Sequence, residues 1–145
     1  MAFGRRTDGF ERRLPAPEPG EEVIRLEGVT KRFGDRTVLD EVDLSFYHGQ
    51  TTVVLGRSGC GKSVLLKTII GLLRPDEGRV IVFGRDLAEL SWSELEDLRL
   101  NFGMLFQGAA LFDSQDVDNN VGFLLYEHTD LPQAEVQEVV RRKLA

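Results

Sequence analysis

"TTVVLGRSGCGKSVLLKTIIGLL", residues 51–73, runs three patterns together. Thr51–Leu55 is β-branched and almost wholly apolar, as expected of a strand buried on both faces of a parallel sheet. Further on, Leu65, Ile69 and Leu72, with Leu66, Ile70 and Leu73, recur at helical spacing. Between strand and helix lie Gly56, Arg57, Ser58, Gly59, Cys60, Gly61, Lys62 and Ser63, which satisfy G-x-x-x-x-G-K-[ST].

The spacing has a chemical reason. A loop that wraps a phosphate must turn several backbone N–H groups inward, which needs glycine where a Cβ would clash or φ is positive. A helix starting near Gly61 adds its free N–H groups and the positive end of its dipole. Lys62 is long enough to reach the β- and γ-phosphates, and the Ser63 hydroxyl is a hard oxygen ligand for Mg²⁺. The strand–loop–helix setting is the one the motif requires. Cys60, inside the loop and beside Lys62, is either a reactive thiol or a small buried residue.

Upstream, "EVIRLEGVTKRF" and "EVDLSFY" alternate as half-buried strands do, with Val42, Leu44 and Phe46 on one face. A turn at His48–Gly49 completes an antiparallel meander of two or three strands. Downstream, "RPDEG" ends the helix and "RVIVF" forms a strand. Ser91 and Glu94 make a capping box for a helix of about two turns, and "FGMLF" (102–106) reads as another apolar strand. Pro132 stands in the first turn of a helix that aligns Val136, Val139, Val140 and Leu144. Residues 1–20 hold three of the five prolines and show no periodicity, so they read as a flexible tail.

Composition bounds the function. The chain has 145 residues, 41% hydrophobic and 29% charged, with net charge −6. This is one ordinary globular domain whose field repels nucleic acid. No apolar run approaches the roughly 18 residues that would span a bilayer, and the arginine pair Arg5–Arg6 is not followed by the apolar stretch of a secretory signal. One cysteine fits a reducing compartment, so the cytoplasm is the expected location.

The loop alone does not choose a family. The D-x-x-G and N-K-x-D sequences of GTPases are absent. "VTKRFGDRTVLDEVDLSFYHGQTTVVLGRSGCGKSVLLKTIIGLLRPDEGRVIVFGRDL" resembles the nucleotide-binding domains of ABC transporters. "FGMLFQGAALFDS" followed by "EHT" looks like the ATPase subunits of MCE/Mla-type lipid transporters. The resemblance implies a P-loop NTPase of α/β class, with an antiparallel β part at about 21–50 and an incomplete RecA-like parallel core at about 51–145. It implies ATP and Mg²⁺ as cofactors, and places Phe33 where an aromatic stacks on adenine, although the family more often has tyrosine there. Gln107 falls at the Q-loop, whose glutamine contacts Mg²⁺ and the attacking water. The implied partners are a membrane permease, an MCE-type lipid-binding protein and a second ATP-binding subunit, with the chain peripheral at the cytoplasmic membrane. "QDVDNNVGFLLYEHT" departs from the family pattern by losing a threonine and a proline, at the surface expected to meet the permease.

The resemblance also implies an LSGGQ signature, a Walker B aspartate with its glutamate, and a switch histidine. These 145 residues contain no "SGG", and neither His48 nor His128 fits the switch position. A truncated domain that holds Mg-ATP without splitting it is therefore expected. Two other readings stay open: a small-molecule kinase whose Walker B strand is "AALFD" ending in Asp113, and a non-hydrolytic nucleotide-binding module.

Overall fold

The computed structural model describes residues 16–106 and 111–145. They fall into two compact units, one spanning Pro15–Arg99 and the other holding Leu100–Ala145.

In the first unit the alternating segments form a long hairpin, β1 (Glu22–Phe33) and β2 (Arg36–Tyr47), joined through Gly34 and Asp35. After the phosphate-loop segment come α1 (Lys62–Ile69), β3 (Glu77–Val82), the two-residue β4 (Arg85–Asp86) and α2 (Trp92–Arg99). The sheet order is β2-β1-β3-β4, and every pairing is antiparallel.

The alternation in β1 changes phase midway. Leu26 is buried, and so are Val29 and Thr30. Between them Gly28 takes a φ of 56° and its N–H donates to Asp43 Oδ1 at 2.7 Å, a bulge that shifts the register against both β2 and β3. The Thr30 hydroxyl accepts from the Glu41 N–H at 3.1 Å, so its burial leaves no orphaned oxygen. Leu26, Val29, Leu39, Val80 and Val82 from the sheet, Leu65 and Ile69 from α1, and Leu95 and Leu98 from α2 are the buried apolar residues of this unit. Val42, Leu44 and Phe46 are half-buried together, as their alternation predicts.

Helix α1 is shorter than its apolar spacing suggests. Gly71, at φ 71°, turns the chain left-handed after Ile70. The Gly71 N–H then donates to Thr68 O at 3.1 Å and the Leu72 N–H to Lys67 O at 2.8 Å, the paired bonds of a Schellman ending. Arg99 satisfies the carbonyls beyond, with Nε to Ile70 O at 3.2 Å and Nη2 to Gly71 O at 2.6 Å. The buried stripe of α1 is thus Leu65, Thr68 and Ile69, while Leu66 and Leu72 are exposed. The capping box of α2 forms as expected: the Ser91 N–H donates to Glu94 Oε2 at 2.9 Å and the Glu94 N–H to Ser91 Oγ at 3.3 Å. The Ser91 hydroxyl and N–H hold the Glu94 carboxyl below the ordinary carboxylate range.

Two expected strands are not found. Residues 51–55 and 102–106 carry no ladder pairing among the described residues, and Leu55 and Leu105 are 86% and 87% exposed. Propensity marks a segment as ready to be a strand, but a strand exists only beside a second one.

The second unit is a helical hairpin of α3 (Val117–His128) and α4 (Gln133–Leu144). The sequence reading did not foresee α3, although Asp116 caps it by accepting from the Asn119 N–H at 2.8 Å. Asn120 ties down the preceding loop, accepting from the Phe112 N–H at 2.8 Å and donating to the carbonyls of Phe112, Gln115 and Asp116. Gly122 lets the helices approach, since a Cβ there would lie 3.2 Å from both Val136 Cγ1 and Val140 Cγ2. Val136 and Val140 are buried as predicted, whereas Leu144 is exposed and Pro132 takes the N-cap place, one residue before the first turn.

Candidate functional site

The site is built on the loop between Gly56 and Ser63. Gly59 and Gly61 have φ of 76° and 102°, values that L-residues rarely adopt. Gly61 is the N-cap of α1, with no side chain capping the first turn, so the free N–H groups of that turn remain open to an anion. At Gly61 space as well as φ favours glycine. A Cβ there would lie 2.9 Å from Val38 Cγ1 and 3.0 Å from the backbone Val38 O, whereas one on Gly56 would lie 2.5 Å from Cys60 Sγ, an exposed side chain that can turn aside.

Lys62 turns its side chain back over the loop. Its Nζ donates to Gly56 O at 2.7 Å and Arg57 O at 2.8 Å, with Cys60 Sγ at 3.7 Å. The loop thus closes around an ammonium group, which is the charge an oligophosphate needs. Ser63, in the first turn of α1, is exposed with its hydroxyl available as an oxygen ligand. The glycines, the open helix terminus, the ammonium and the hydroxyl together fit a magnesium-bound nucleoside triphosphate.

The β1–β2 hairpin reaches this loop from the side. Arg36 Nη2 donates to Gly59 O at 3.1 Å, and Arg36 is the register partner of Phe33. Phe33 is 49% exposed at the hairpin tip, with Lys31 Nζ 5.6 Å from its ring centroid. An aromatic ring at a strand end that was simply core would be covered; this one faces solvent. The sequence reading missed Arg36, and the only signal available was an arginine directly after a glycine–aspartate turn.

Other expected site residues fall elsewhere. Gln107 lies outside the described residues. Asp113 sits in an exposed turn, and Ala109 and Ala110 of the strand expected before it lie outside the described residues. Among the described residues no group of three or more His, Cys, Asp or Glu side chains is arranged to hold a metal, and a cation here would rest on Ser63 and on the ligand's own oxygens.

Cys60 is exposed, which decides between its two readings in favour of accessibility. Alkylation with N-ethylmaleimide is expected to abolish nucleotide binding, and Mg-ATP to slow the alkylation by roughly tenfold or more by covering the loop. Mass spectrometry of the labelled peptide with and without Mg-ATP checks this, and labelling indifferent to nucleotide would contradict the loop geometry.

The model of the ABC transporter family matches residues 39–144. The probable ribonucleotide transport ATP-binding protein mkl of Mycobacterium tuberculosis is 45% identical over 122 residues, covering 84% of this chain and 34% of that protein. The intermembrane phospholipid transport system ATP-binding protein MlaF of Haemophilus influenzae is 39% identical over 124 residues, covering 86% of this chain and 47% of that protein. The chain therefore spans between about a third and a half of the length of these curated relatives. Among solved structures, the ATP-binding cassette MJ0796, in a dimeric post-hydrolysis state bound to ADP and Pi, superposes with a TM-score of 0.73. That match has 27% identity and covers 82% of this chain and 54% of that one.

Proposed function

The chain belongs to the ABC transporter family, and from that premise we propose that it is the Mg-ATP-binding part of an ATP-binding subunit serving lipid transport. The observation that carries the ATP reading is Lys62, whose ammonium lies on the carbonyls of a loop that turns left-handed at Gly59 and Gly61. Gly59, Gly61, Lys62 and Ser63 would offer backbone N–H groups to the phosphates, with Gly56, Arg57, Ser58 and Cys60 completing the turn, in which the Cys60 N–H donates to Arg57 O. Lys62 supplies the charge for the β- and γ-phosphates and Ser63 holds Mg²⁺, joined in this reading by Gln107. When bound, Mg²⁺ supplies neutralisation of charge on the phosphate oxygens.

The lipid reading rests on the resemblance of "FGMLFQGAALFDS" and "EHT" to MCE/Mla-type ATPases, and the 39% identical relative named for intermembrane phospholipid transport is in line with it; the 45% identical relative named for ribonucleotide transport represents the competing cargo. The partners in this reading are a membrane permease, an MCE-type lipid-binding protein and a second ATP-binding subunit, with this chain on the cytoplasmic face. No described helix is long and apolar enough to cross a membrane. Reconstitution of the subunit with its permease into liposomes tests the cargo: ATP-dependent movement of labelled phospholipid supports the lipid reading, and movement of labelled ribonucleotide with phospholipid static replaces it.

Phe33 has a separate test. If its exposed ring stacks on adenine, Phe33→Ala weakens Mg-ATP by about 1 kcal/mol, roughly fivefold, and leaves Mg-tripolyphosphate unchanged. Titration calorimetry with both ligands checks this. Equal loss for the two would show that the ring acts on the fold rather than on the base.

A further inference from the structure

Arg36 opens β2 directly after the Gly34–Asp35 turn. Among the described residues it forms no ion pair with a carboxylate. Instead its guanidinium holds the Gly59 carbonyl of the phosphate loop at 3.1 Å.

That bond has a directional effect. In a trans peptide the carbonyl and the following N–H point to opposite sides, and among the described residues there is no cis peptide bond. Holding Gly59 O toward the hairpin sends the Cys60 N–H the other way, where it meets Arg57 O at 3.3 Å. This is the oxygen that also accepts from Lys62 Nζ at 2.8 Å. Arg36 therefore fixes the turn whose Arg57 carbonyl also holds the Lys62 ammonium. The other end of the same arginine is fixed by the register Phe33↔Arg36, which closes the hairpin tip. Arg36 thus ties the hairpin tip, where Phe33 is its backbone partner, to a peptide plane of the phosphate loop.

We infer that Arg36 is a positioning residue that couples the contact of Phe33 with the base to the contact of the phosphate loop with the triphosphate. The inference rests on the reading that this loop binds Mg-ATP. Coupling of this kind appears as non-additivity between residues that share a partner.

The test is a double-mutant cycle on the 145-residue chain, titrated with Mg-ATP and with Mg-tripolyphosphate, a probe without a base. Arg36→Ala is expected to weaken Mg-ATP about tenfold and Mg-tripolyphosphate about twofold, with the excess loss for ATP vanishing in a Phe33→Ala background. Arg36→Lys keeps a donor for Gly59 O and is expected to recover most of the ATP affinity. Arg36 is exposed, so the melting curve should not move. The ratio of the two ligands on one sample is in any case independent of the folded fraction. Equal losses for both ligands, or a loss for ATP that is the same with and without Phe33, overturn the inference while leaving ATP binding intact. An unaltered chain that fails to bind Mg-ATP overturns the reading beneath it.

Discussion

Lys62→Ala is expected to weaken Mg-ATP binding at least about 100-fold while leaving the thermal unfolding curve nearly in place. Charge-assisted hydrogen bonds are worth about 1.5–3 kcal/mol each, and one such bond to a phosphate oxygen together with the lost charge corresponds to about 3 kcal/mol, equal to roughly 100-fold. A second effect adds to the first. The Gly56 and Arg57 carbonyls now accept from the Lys62 ammonium, and without it two carbonyl dipoles remain beside the site with nothing to offset them against an anion. Little of the fold depends on a half-buried lysine at the start of α1. Calorimetric titration and a circular-dichroism melt on the same sample separate the two outcomes. An affinity within fivefold of the unaltered chain would remove phosphate binding from this loop. The same variant is the reference for turnover. Phosphoryl transfer depends on charge and positioning from all sides, and these residues contain no signature sequence, so the 145-residue chain should release phosphate no faster than Lys62→Ala.

Gly78→Ala is expected to be the most damaging single-methyl change in the sheet, lowering stability by about 3 kcal/mol and the melting temperature by roughly 12–20 °C. Gly78 has a φ of 81°, and a Cβ on it would lie 2.3 Å from Gly28 O, 2.5 Å from Glu27 O and 2.5 Å from Gly28 C. All three atoms are backbone of β1 at its bulge, so no side chain can move aside; β1 and β3 must separate instead. Gly84→Ala is the control. Its φ is 73° with nothing within 4 Å of the added Cβ, so it carries the conformational penalty alone, about 1–2 kcal/mol. Equal melting temperatures for the two variants would mean that β1 and β3 do not approach as described.

The contrast between what could and could not be read from the sequence follows the range of the interactions involved. The left-handed turns at Gly59 and Gly61 with the helix start beside them, and the Ser91–Glu94 capping box, are completed within a few residues, and these local features form where the sequence marks them. The β1 and β2 segments were legible because a short turn pairs them in register. Thr51–Leu55 shows the limit: its β-branched run announces a buried strand, but burial and pairing come from distant chain, and the described residues bring none beside it. The end of α1 was misplaced because a left-handed glycine at 71 outweighs the apolar period that continues through Leu72 and Leu73. Helix α3 was missed although Asp116 and the residues after it form a local cap, because the segment read as a departure from a pattern rather than as a helix start. Arg36 was invisible for a different reason, since its partner is a backbone oxygen 23 residues away that leaves no mark on composition or period.

The position of the Lys62 ammonium means that the loop is occupied by its own side chain before any ligand arrives. An ammonium has three protons, and two of them are on the Gly56 and Arg57 carbonyls, so the loop holds the charge in place and leaves one proton for a phosphate oxygen. Both acceptors are main-chain oxygens, so replacing the Arg57 side chain leaves both of them available. A change that tilts either peptide plane moves the ammonium, and with it the affinity, without adding or removing a single contact to the ligand.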